Sequence, residues 1–210
     1  MERIADILRS APKTIISPAG RRILPAQYED AATSLALHYG KEVSLRGKEI
    51  DADAAAPIIE KIAVWMTGDG SHPWLVLSGT PGTGKSTALR AIRDTLRDYG
   101  VTAKMFNSSD FPVLFLDNEE LTERQILGGD WCRVLLLDDV GVEPTEIKDF
   151  GNTIQPFVKI VEERYNRFLP LVISTNLDGT AIKDRYGIRT IDRIREMSVG
   201  IKYDGQSYRK

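Results

Sequence analysis

Residues 79–86 read Gly79-Thr80-Pro81-Gly82-Thr83-Gly84-Lys85-Ser86, and this stretch decides the fold because it satisfies the pattern GxxxxGK[ST] in full. A short apolar run, Trp74 to Ser78, leads directly into it, as expected of a β-strand. Behind it, Leu89, Ile92 and Leu96 follow one another at helical spacing. A strand, a glycine-rich turn and an amphipathic helix in this order are the context in which the pattern binds phosphate groups.

Each residue type in the turn suits a phosphate-binding loop. Gly82 and Gly84 can adopt backbone conformations closed to other residues, which lets successive N–H groups point at phosphate oxygens. The dipole of the following helix adds attraction for an anion. Lys85 supplies a positive charge, Ser86 offers a hydroxyl ligand to a magnesium ion that bridges the phosphates, and Thr87 helps to hold the loop. The predicted phosphate-binding residues are Gly79, Pro81, Gly82, Thr83, Gly84, Lys85, Ser86 and Thr87.

Two acids end a second apolar run, Leu135-Leu136-Leu137-Asp138-Asp139. Such a run is typical of a central parallel strand, and α/β sheets bind ligands at the carboxyl ends of these strands. We predict that Asp138 orients the magnesium ion, usually through water, and that Asp139 polarises the water that attacks the γ-phosphate. The alternative is that both acids only cap the turn after the strand.

A third apolar run, Leu171 to Ile173, continues into Ser174-Thr175-Asn176. If its strand neighbours the acidic one, Asn176 lies near the γ-phosphate, where an amide can hold or sense the attacking water. The alternative is ordinary turn chemistry, because Asn176 to Gly179 also favours a turn.

The remaining chain alternates between helix-like and strand-like segments, which predicts an α/β fold with a parallel sheet and helices on both faces. We divide it into a short helical N-terminal region, residues 1–54, and a main domain, residues 55–210. Gly40 is placed to end the first helix of the N-terminal region. The other predicted helices and strands are Ala26 to Tyr39, Ala54 to Met66, Val101 to Phe106, Asp117 to Leu127, Ile154 to Tyr165, Thr180 to Tyr186, Thr190 to Met197 and Val199 to Tyr203.

Composition excludes several classes of protein. The chain has 210 residues, 42% hydrophobic and 28% charged, which suits one folded α/β domain and not a disordered or coiled-coil chain. Its one cysteine, Cys132, excludes an intrachain disulfide and a multi-thiolate zinc site. The net charge of −2 argues against coating nucleic acid through bulk charge. No apolar run reaches the roughly 18–20 residues of a membrane span, so we expect no membrane contact and a cytoplasmic location.

With these elements in order, the chain resembles the AAA+ ATPases and, within them, the DnaC-type replicative helicase loaders and the related IstB-type transposition helpers. The resemblance implies a P-loop ATPase fold without a C-terminal lid domain, ATP and Mg²⁺ as cofactors, and self-assembly through the ATPase domain. It also implies two partners, a replicative hexameric helicase and single-stranded DNA. The residues that carry it are Gly79 to Thr87, Leu135 to Pro144, Arg164-Tyr165, Ser174 to Leu177, Arg189 to Ile194 and the ending Ser207-Tyr208-Arg209.

The same resemblance implies an arginine that reaches the ATP of a neighbouring subunit. Matching position by position places this role on Arg193, with Arg189 as the second candidate. Such an arginine stabilises charge on the phosphoryl oxygens and contributes about 10³–10⁵ in rate. The alternative is a solvated basic helix face. Asp139 stands where AAA+ proteins mostly carry glutamate, which implies slow catalysis.

The resemblance implies an ATP-dependent protein that loads or remodels a replicative ring helicase on single-stranded DNA. Two alternative functions stay open. One is an IstB-like helper ATPase that acts on duplex DNA and on a transposase, and the other is an adaptor that binds ATP as a switch without hydrolysing it. The sequence does not identify DNA-contact residues, because Asn107 to Leu127, where related loaders carry a DNA-binding element, is acidic. Phe111 and Phe115 in this segment are more typical of a core than of base stacking. The N-terminal apolar face of Ile4, Ile7 and Leu8 either anchors a partner or folds back on its own domain.

Overall fold

The computed structural model describes residues 23, 24, 26–117, 122, 126, 127, 132–149 and 151–203. Three predicted features fall outside these residues: the apolar face of Ile4, Ile7 and Leu8, most of the helix over Asp117 to Leu127, and the ending Ser207-Tyr208-Arg209. Among the residues just given, no helix combines the length and the apolar character that a membrane crossing requires.

Helices and strands alternate along the described chain. The strands are β1 (Trp74–Gly79), β2 (Ala103–Asn107), β3 (Val134–Val140), β4 (Ile147–Asp149), β5 (Asn152–Ile154), β6 (Leu171–Thr175) and β7 (Ser198–Tyr203). The helices are α1 (Tyr28–Ser44), α2 (Ala52–Thr67), α3 (Lys85–Asp98), α4 (Phe111–Asp117), α5 (Pro156–Asn166), α6 (Gly179–Tyr186) and α7 (Ile188–Met197), with a 3-10 turn at Ser108–Asp110.

Five strands form one parallel sheet in the order β2-β3-β6-β1-β7. The chain leaves β1, crosses to the far edge at β2, and returns through β3 and β6 to lie beside β1. The carboxyl ends of β1, β3 and β6 therefore meet at one crevice, which is where open α/β sheets bind ligands.

Helices cover both faces of the sheet because alternate residues of its central strands bury apolar side chains on opposite faces. In β3, Leu136 packs in one core with α1, α2 and α3. Leu135 and Leu137 pack in a second core with α4, α5, α6 and α7. This arrangement confirms the predicted parallel α/β fold. Phe111 and Phe115 are buried in the second core, as expected.

Helix α1 belongs to the first core. Leu35 and Tyr39 are buried there, in the same cluster as side chains of the sheet and of α3. The prediction that Gly40 ends this helix was wrong, since the helix continues through it. Val43, one turn later, packs against the same core, and this burial outweighs the roughly 1 kcal/mol that a glycine costs inside a helix. The division drawn between residues 54 and 55 therefore does not separate two hydrophobic cores.

A fully buried arginine, Arg164, ties the end of α5 to the strands of the sheet. Its guanidinium donates to the carbonyl oxygens of Pro170 at 2.9 Å, Arg133 at 2.9 Å and Ile126 at 3.1 Å. Burial lowers the pKa of Arg164 to about 10, so the side chain stays charged at neutral pH. The guanidinium therefore supplies hydrogen-bond donors to carbonyl oxygens of three chain segments that meet at the amino edge of the sheet.

The structure also contains a short antiparallel hairpin that the sequence did not predict, β4 with β5, in which Ile147 pairs with Ile154. Each strand has three residues, too few to show an alternating pattern. Gly151, with a φ of 90°, lies in the turn between them.

Candidate functional site

Two glycines shape the turn that follows β1. Gly79 has a φ of 140°, and a Cβ there would lie 2.2 Å from the carbonyl oxygen of Tyr203 on β7. Gly84, the N-cap of α3, has a φ of 99°, and a Cβ there would lie 2.9 Å from the hydroxyl of Tyr39 on α1. Only glycine fits both positions. Because α3 begins directly after Gly84, its first N–H groups lack intrahelical partners at the turn and suit an anion.

The Lys85 side chain is only 5% exposed and folds against the turn. Its Nζ donates to the carbonyl oxygens of Gly79 and Thr80, at 2.8 Å each. Thr83 Oγ1 donates to the Thr80 oxygen at 2.9 Å and closes the turn from within. The ammonium group is therefore held beside the backbone that would surround a phosphate.

A chain of hydrogen bonds joins α3, β3 and β6 at the carboxyl edge of the sheet. Ser86 Oγ donates to Asp138 Oδ1 at 3.0 Å, and Ser174 Oγ donates to the same oxygen at 2.5 Å. Asp138 is 4% exposed, so two hydroxyl donors compensate for the burial of its charge. A serine hydroxyl beside a carboxylate is a donor set of hard oxygens, which fits the predicted magnesium ion.

Asp139 departs from ordinary strand geometry. Its φ of 56° lies in the left-handed region, and the register of β3 against β6 shifts at this point. Its N–H donates to Ser174 Oγ at 2.9 Å, and its carbonyl oxygen accepts from Ser108 Oγ at 2.8 Å. Two buried serines thus hold a conformation that few non-glycine residues adopt. Because the bulge interrupts the strand alternation, Asp138 and Asp139 face the same cleft.

These groups surround one cleft of about 600 Å³, a volume typical of small-molecule sites. Gly79 and Thr83 belong to the turn but do not line the cleft. The structure therefore brings the glycine-rich turn, the paired acids and the amide of Asn176, which follows β6, to one place. The predicted site residues that line the cleft are Pro81, Gly82, Gly84, Lys85, Ser86, Thr87, Asp138, Asp139 and Asn176.

One wall of the cleft was not found from the sequence. No motif marks it, because it forms only when the end of α1, the following loop and the start of α2 pack beside the turn. Its apolar members, such as Tyr39, Val43 and Ile50, suit the face of a planar base. The residues of this wall are Tyr39, Val43, Arg46, Lys48, Glu49, Ile50, Asp51 and Ala55.

Two arginines bring positive charge to the same side of the cleft. Arg46 Nη1 lies 3.1 Å from Glu42 Oε2, and Arg90 Nε lies 4.0 Å from the same oxygen. One carboxylate therefore orients two guanidinium groups that line the cleft. Asn107, at the end of β2, also lines the cleft. Polar residues at the carboxyl ends of parallel strands are candidate ligand contacts, and this rule, which predicted Asp138, could also have predicted Asn107.

The buried acid Glu143 ties the loop after β3 to α6. Its carboxylate accepts from Gly141 N at 2.8 Å and from the Tyr186 hydroxyl, while its carbonyl oxygen accepts from Arg185. Burial and this carboxylate raise the pKa of Tyr186, so the phenol stays protonated as the donor. Val142, in the same loop, lines the cleft, so the cleft is connected to the helix pair α6–α7.

The two predicted arginines lie on α7 and do not line the cleft. Arg193 Nη1 lies 3.1 Å from Glu162 Oε1 on α5. Arg189 is exposed and makes no ion pair with another residue of the described ranges. A position away from the cleft of its own chain is what a role in a neighbouring subunit requires.

Solved structures with a similar fold include a helicase loader and replication initiation proteins. The crystal structure of the DnaC helicase loader matches with a TM-score of 0.56 and 21% identity, covering 75% of this chain and 92% of that chain. DnaI matches with a TM-score of 0.59 and 21% identity, covering 89% and 95% of the two chains. AMPPCP-bound DnaA from Aquifex aeolicus matches with a TM-score of 0.52 and 21% identity, covering 74% and 47%.

Neither protein-family models nor curated protein sequences give a match to this chain. The likeness is therefore one of structure, and the features that this chain presents are the parallel sheet, the glycine-rich turn after β1 and the acids that end β3. The chain has the fold of the solved DnaC helicase loader, DnaI and DnaA.

Proposed function

We propose that this chain is a cytoplasmic AAA+ ATPase of DNA replication that loads or remodels a replicative ring helicase on single-stranded DNA. The observation that carries the proposal is the cleft, in which the phosphate loop, Asp138, Asp139 and Asn176 converge. The solved structures with this fold support the setting, since they include a helicase loader and a replication initiator bound to single-stranded DNA.

In the proposed reaction, the N–H groups of the turn and the Lys85 ammonium bind the β- and γ-phosphate oxygens of ATP. Lys85 exchanges its present carbonyl acceptors for phosphate oxygens. Ser86 and Asp138 hold Mg²⁺, which when bound neutralises phosphate charge. Asp139 accepts a proton from the attacking water as the γ-phosphorus gains that oxygen and releases ADP. Asn176 orients the water.

Arg193 of one subunit is proposed to complete the cleft of the next, with Arg189 as the second candidate. Charge builds on the γ-phosphoryl oxygens in the transition state, and a guanidinium at that point stabilises it. Since neither arginine lines the cleft of its own chain, the dispersed protein should hydrolyse ATP slowly and the assembled protein faster.

DNA form and client protein test the loader proposal. ATP hydrolysis should rise more with single-stranded than with duplex DNA, and Asp139→Asn protein with ATP should co-purify the replicative helicase from the native host. A preference for duplex DNA together with recovery of a transposase would replace the loader by the IstB-like helper. Tight ATP binding without turnover under every condition would favour the non-hydrolysing switch.

A further inference from the structure

The pair Arg164-Tyr165 at the end of α5 is not used by the proposed reaction. Arg164 points into the core, where it binds carbonyl oxygens. Tyr165, one residue later, is half-buried at the contact between α5 and α7. Tyr165 also contacts Arg193 of α7, the predicted arginine, and a purely structural role would not require this contact.

Four side chains form a cluster that we name the Tyr165 platform: Tyr165, Glu162, Glu196 and Arg193. Three contacts hold these side chains together. The Arg193 guanidinium carbon lies 5.1 Å from the centroid of the Tyr165 ring, within the range of a cation–π contact. Glu162 Oε1 lies 3.1 Å from Arg193 Nη1. The Tyr165 hydroxyl donates to Glu196 Oε2 at 2.8 Å.

The ring itself is anchored to the sheet. Tyr165 meets Trp74 edge to face, with 6.5 Å between ring centroids and 76° between their planes. Trp74 is fully buried at the start of β1, and its Nε1 donates to the Leu169 oxygen at 2.8 Å. The hydrogen bond to the Glu196 carboxylate raises the pKa of Tyr165, so the hydroxyl remains a donor at neutral pH.

Within the described part of the chain, the other arginines of α7 have no comparable surroundings. Arg195 is 64% exposed and approaches Asp192 only at 4.0 Å, whereas the Arg193 side chain is 24% exposed. A free arginine populates many rotamers, and most of them point away from any one target. The Tyr165 ring under the guanidinium and the Glu162 carboxylate at its edge restrict Arg193 to few rotamers before a neighbouring subunit binds.

We propose that Tyr165 is a positioning residue, whose ring holds the Arg193 guanidinium in the orientation in which it enters the cleft of a neighbouring subunit. This inference rests on the proposed role of Arg193. It adds a residue that acts through that arginine and touches no nucleotide itself. The two residues of the pair Arg164-Tyr165 therefore have different roles. Arg164 holds the core together, and Tyr165 orients Arg193 toward the neighbouring subunit.

The test compares four variants in ATP hydrolysis at saturating protein, with Mg²⁺ and an oligo-dT strand, so that kcat and KM for ATP are measured separately. Tyr165→Leu removes the ring and should lower kcat about three- to fivefold with KM unchanged. Tyr165→Phe keeps the ring and should retain at least half of the wild-type kcat. Glu163→Gln is the matched control on the same helix, because Glu163 pairs with Arg167 at 3.3 Å. It should leave both constants unchanged.

Arg193→Ala distinguishes a failure of the Arg193 role from a failure of the Tyr165 role. If it abolishes stimulated turnover while Tyr165→Leu has the wild-type kcat, the arginine role stands and the positioning role of Tyr165 is overturned. A rise in KM, or equal losses in Tyr165→Phe and Tyr165→Leu, would show a merely structural tyrosine and overturn it too. Wild-type turnover in Arg193→Ala, or no turnover in the wild-type chain, would overturn the proposed function and this inference with it.

Discussion

Removal of the Ser174 hydroxyl should damage both the stability of the fold and the geometry of the paired acids. Ser174 Oγ is fully buried, donates to Asp138 Oδ1 at 2.5 Å and accepts from Asp139 N at 2.9 Å. Ser174→Ala therefore leaves the partly buried Asp139 N–H without that acceptor and leaves Asp138 with one fewer hydroxyl donor. The left-handed backbone of Asp139 loses one of the two serines that hold it.

The size of the loss follows from the two bonds. A hydrogen bond to a charged group contributes about 1.5–3 kcal/mol and a neutral one about 0.5–1.5 kcal/mol. Ser86 still donates to Asp138 at 3.0 Å, so part of the first contribution remains. We expect the free energy of unfolding to fall by about 2–3 kcal/mol, and kcat for ATP hydrolysis to fall more than KM rises.

Thr95→Val is the matched control. Thr95 lies on α3, is fully buried like Ser174, and its Oγ1 has no hydrogen-bond partner within the described residues. Replacing this hydroxyl by a methyl group removes an unsatisfied polar atom and should leave stability unchanged or raise it by up to about 1 kcal/mol. Urea denaturation of the two variants measures both values. Equal stabilities for Ser174→Ala and Thr95→Val would refute the reasoning.

Three further predictions concern other parts of the molecule. Lys85→Ala should weaken ATP binding by more than about tenfold, or 1.4 kcal/mol, in a fluorescent-nucleotide titration, and an unchanged dissociation constant would remove Lys85 from the site. Arg164→Leu should lower the free energy of unfolding by about 3–5 kcal/mol because buried carbonyl oxygens lose their donor, whereas Arg167→Gln, on the same helix and 48% exposed, should cost less than about 0.5 kcal/mol. The hydrogen bond from His38 lowers the pKa of Asp98, so this contact stabilises the fold above the unfolded pKa of 3.8 and is lost as pH falls through the folded value. The stability difference between wild type and His38→Ala should therefore be present at pH 5 and shrink in more acidic solution, and a difference that grows as the pH falls below 3.8 would contradict it.

The shape of the glycine-rich turn was predictable because its signal is local. Its pattern, the strand before it and the helix after it all lie within one stretch of chain, and the φ values of Gly79 and Gly84 show why the pattern needs glycine. The acids of β3 and Asn176 were predictable for a related reason. A parallel sheet brings the carboxyl ends of its strands together, so polar residues at those ends converge.

The far wall of the cleft was not predictable because it depends on tertiary packing. Tyr39 and Ile50 reach the cleft only after α1 docks beside α3, and nothing in their spacing marks this. The same docking explains Gly40, where burial of the next turn overrides a local stop signal. The bulge at Asp139 depends on serines from two other segments of the chain, Ser108 and Ser174.

The most direct test of the account is a mixing experiment with two variants, Arg193→Ala and Asp139→Asn. Each variant alone should lack stimulated ATP hydrolysis, because one lacks the arginine and the other the acid in every site. In an equimolar mixture, an Asp139 site on one subunit can receive Arg193 from its neighbour, so about one quarter of the wild-type rate should return by random pairing. A mixture that stays at the rate of the separate variants would contradict the claim that this cleft is completed by the next copy of the chain.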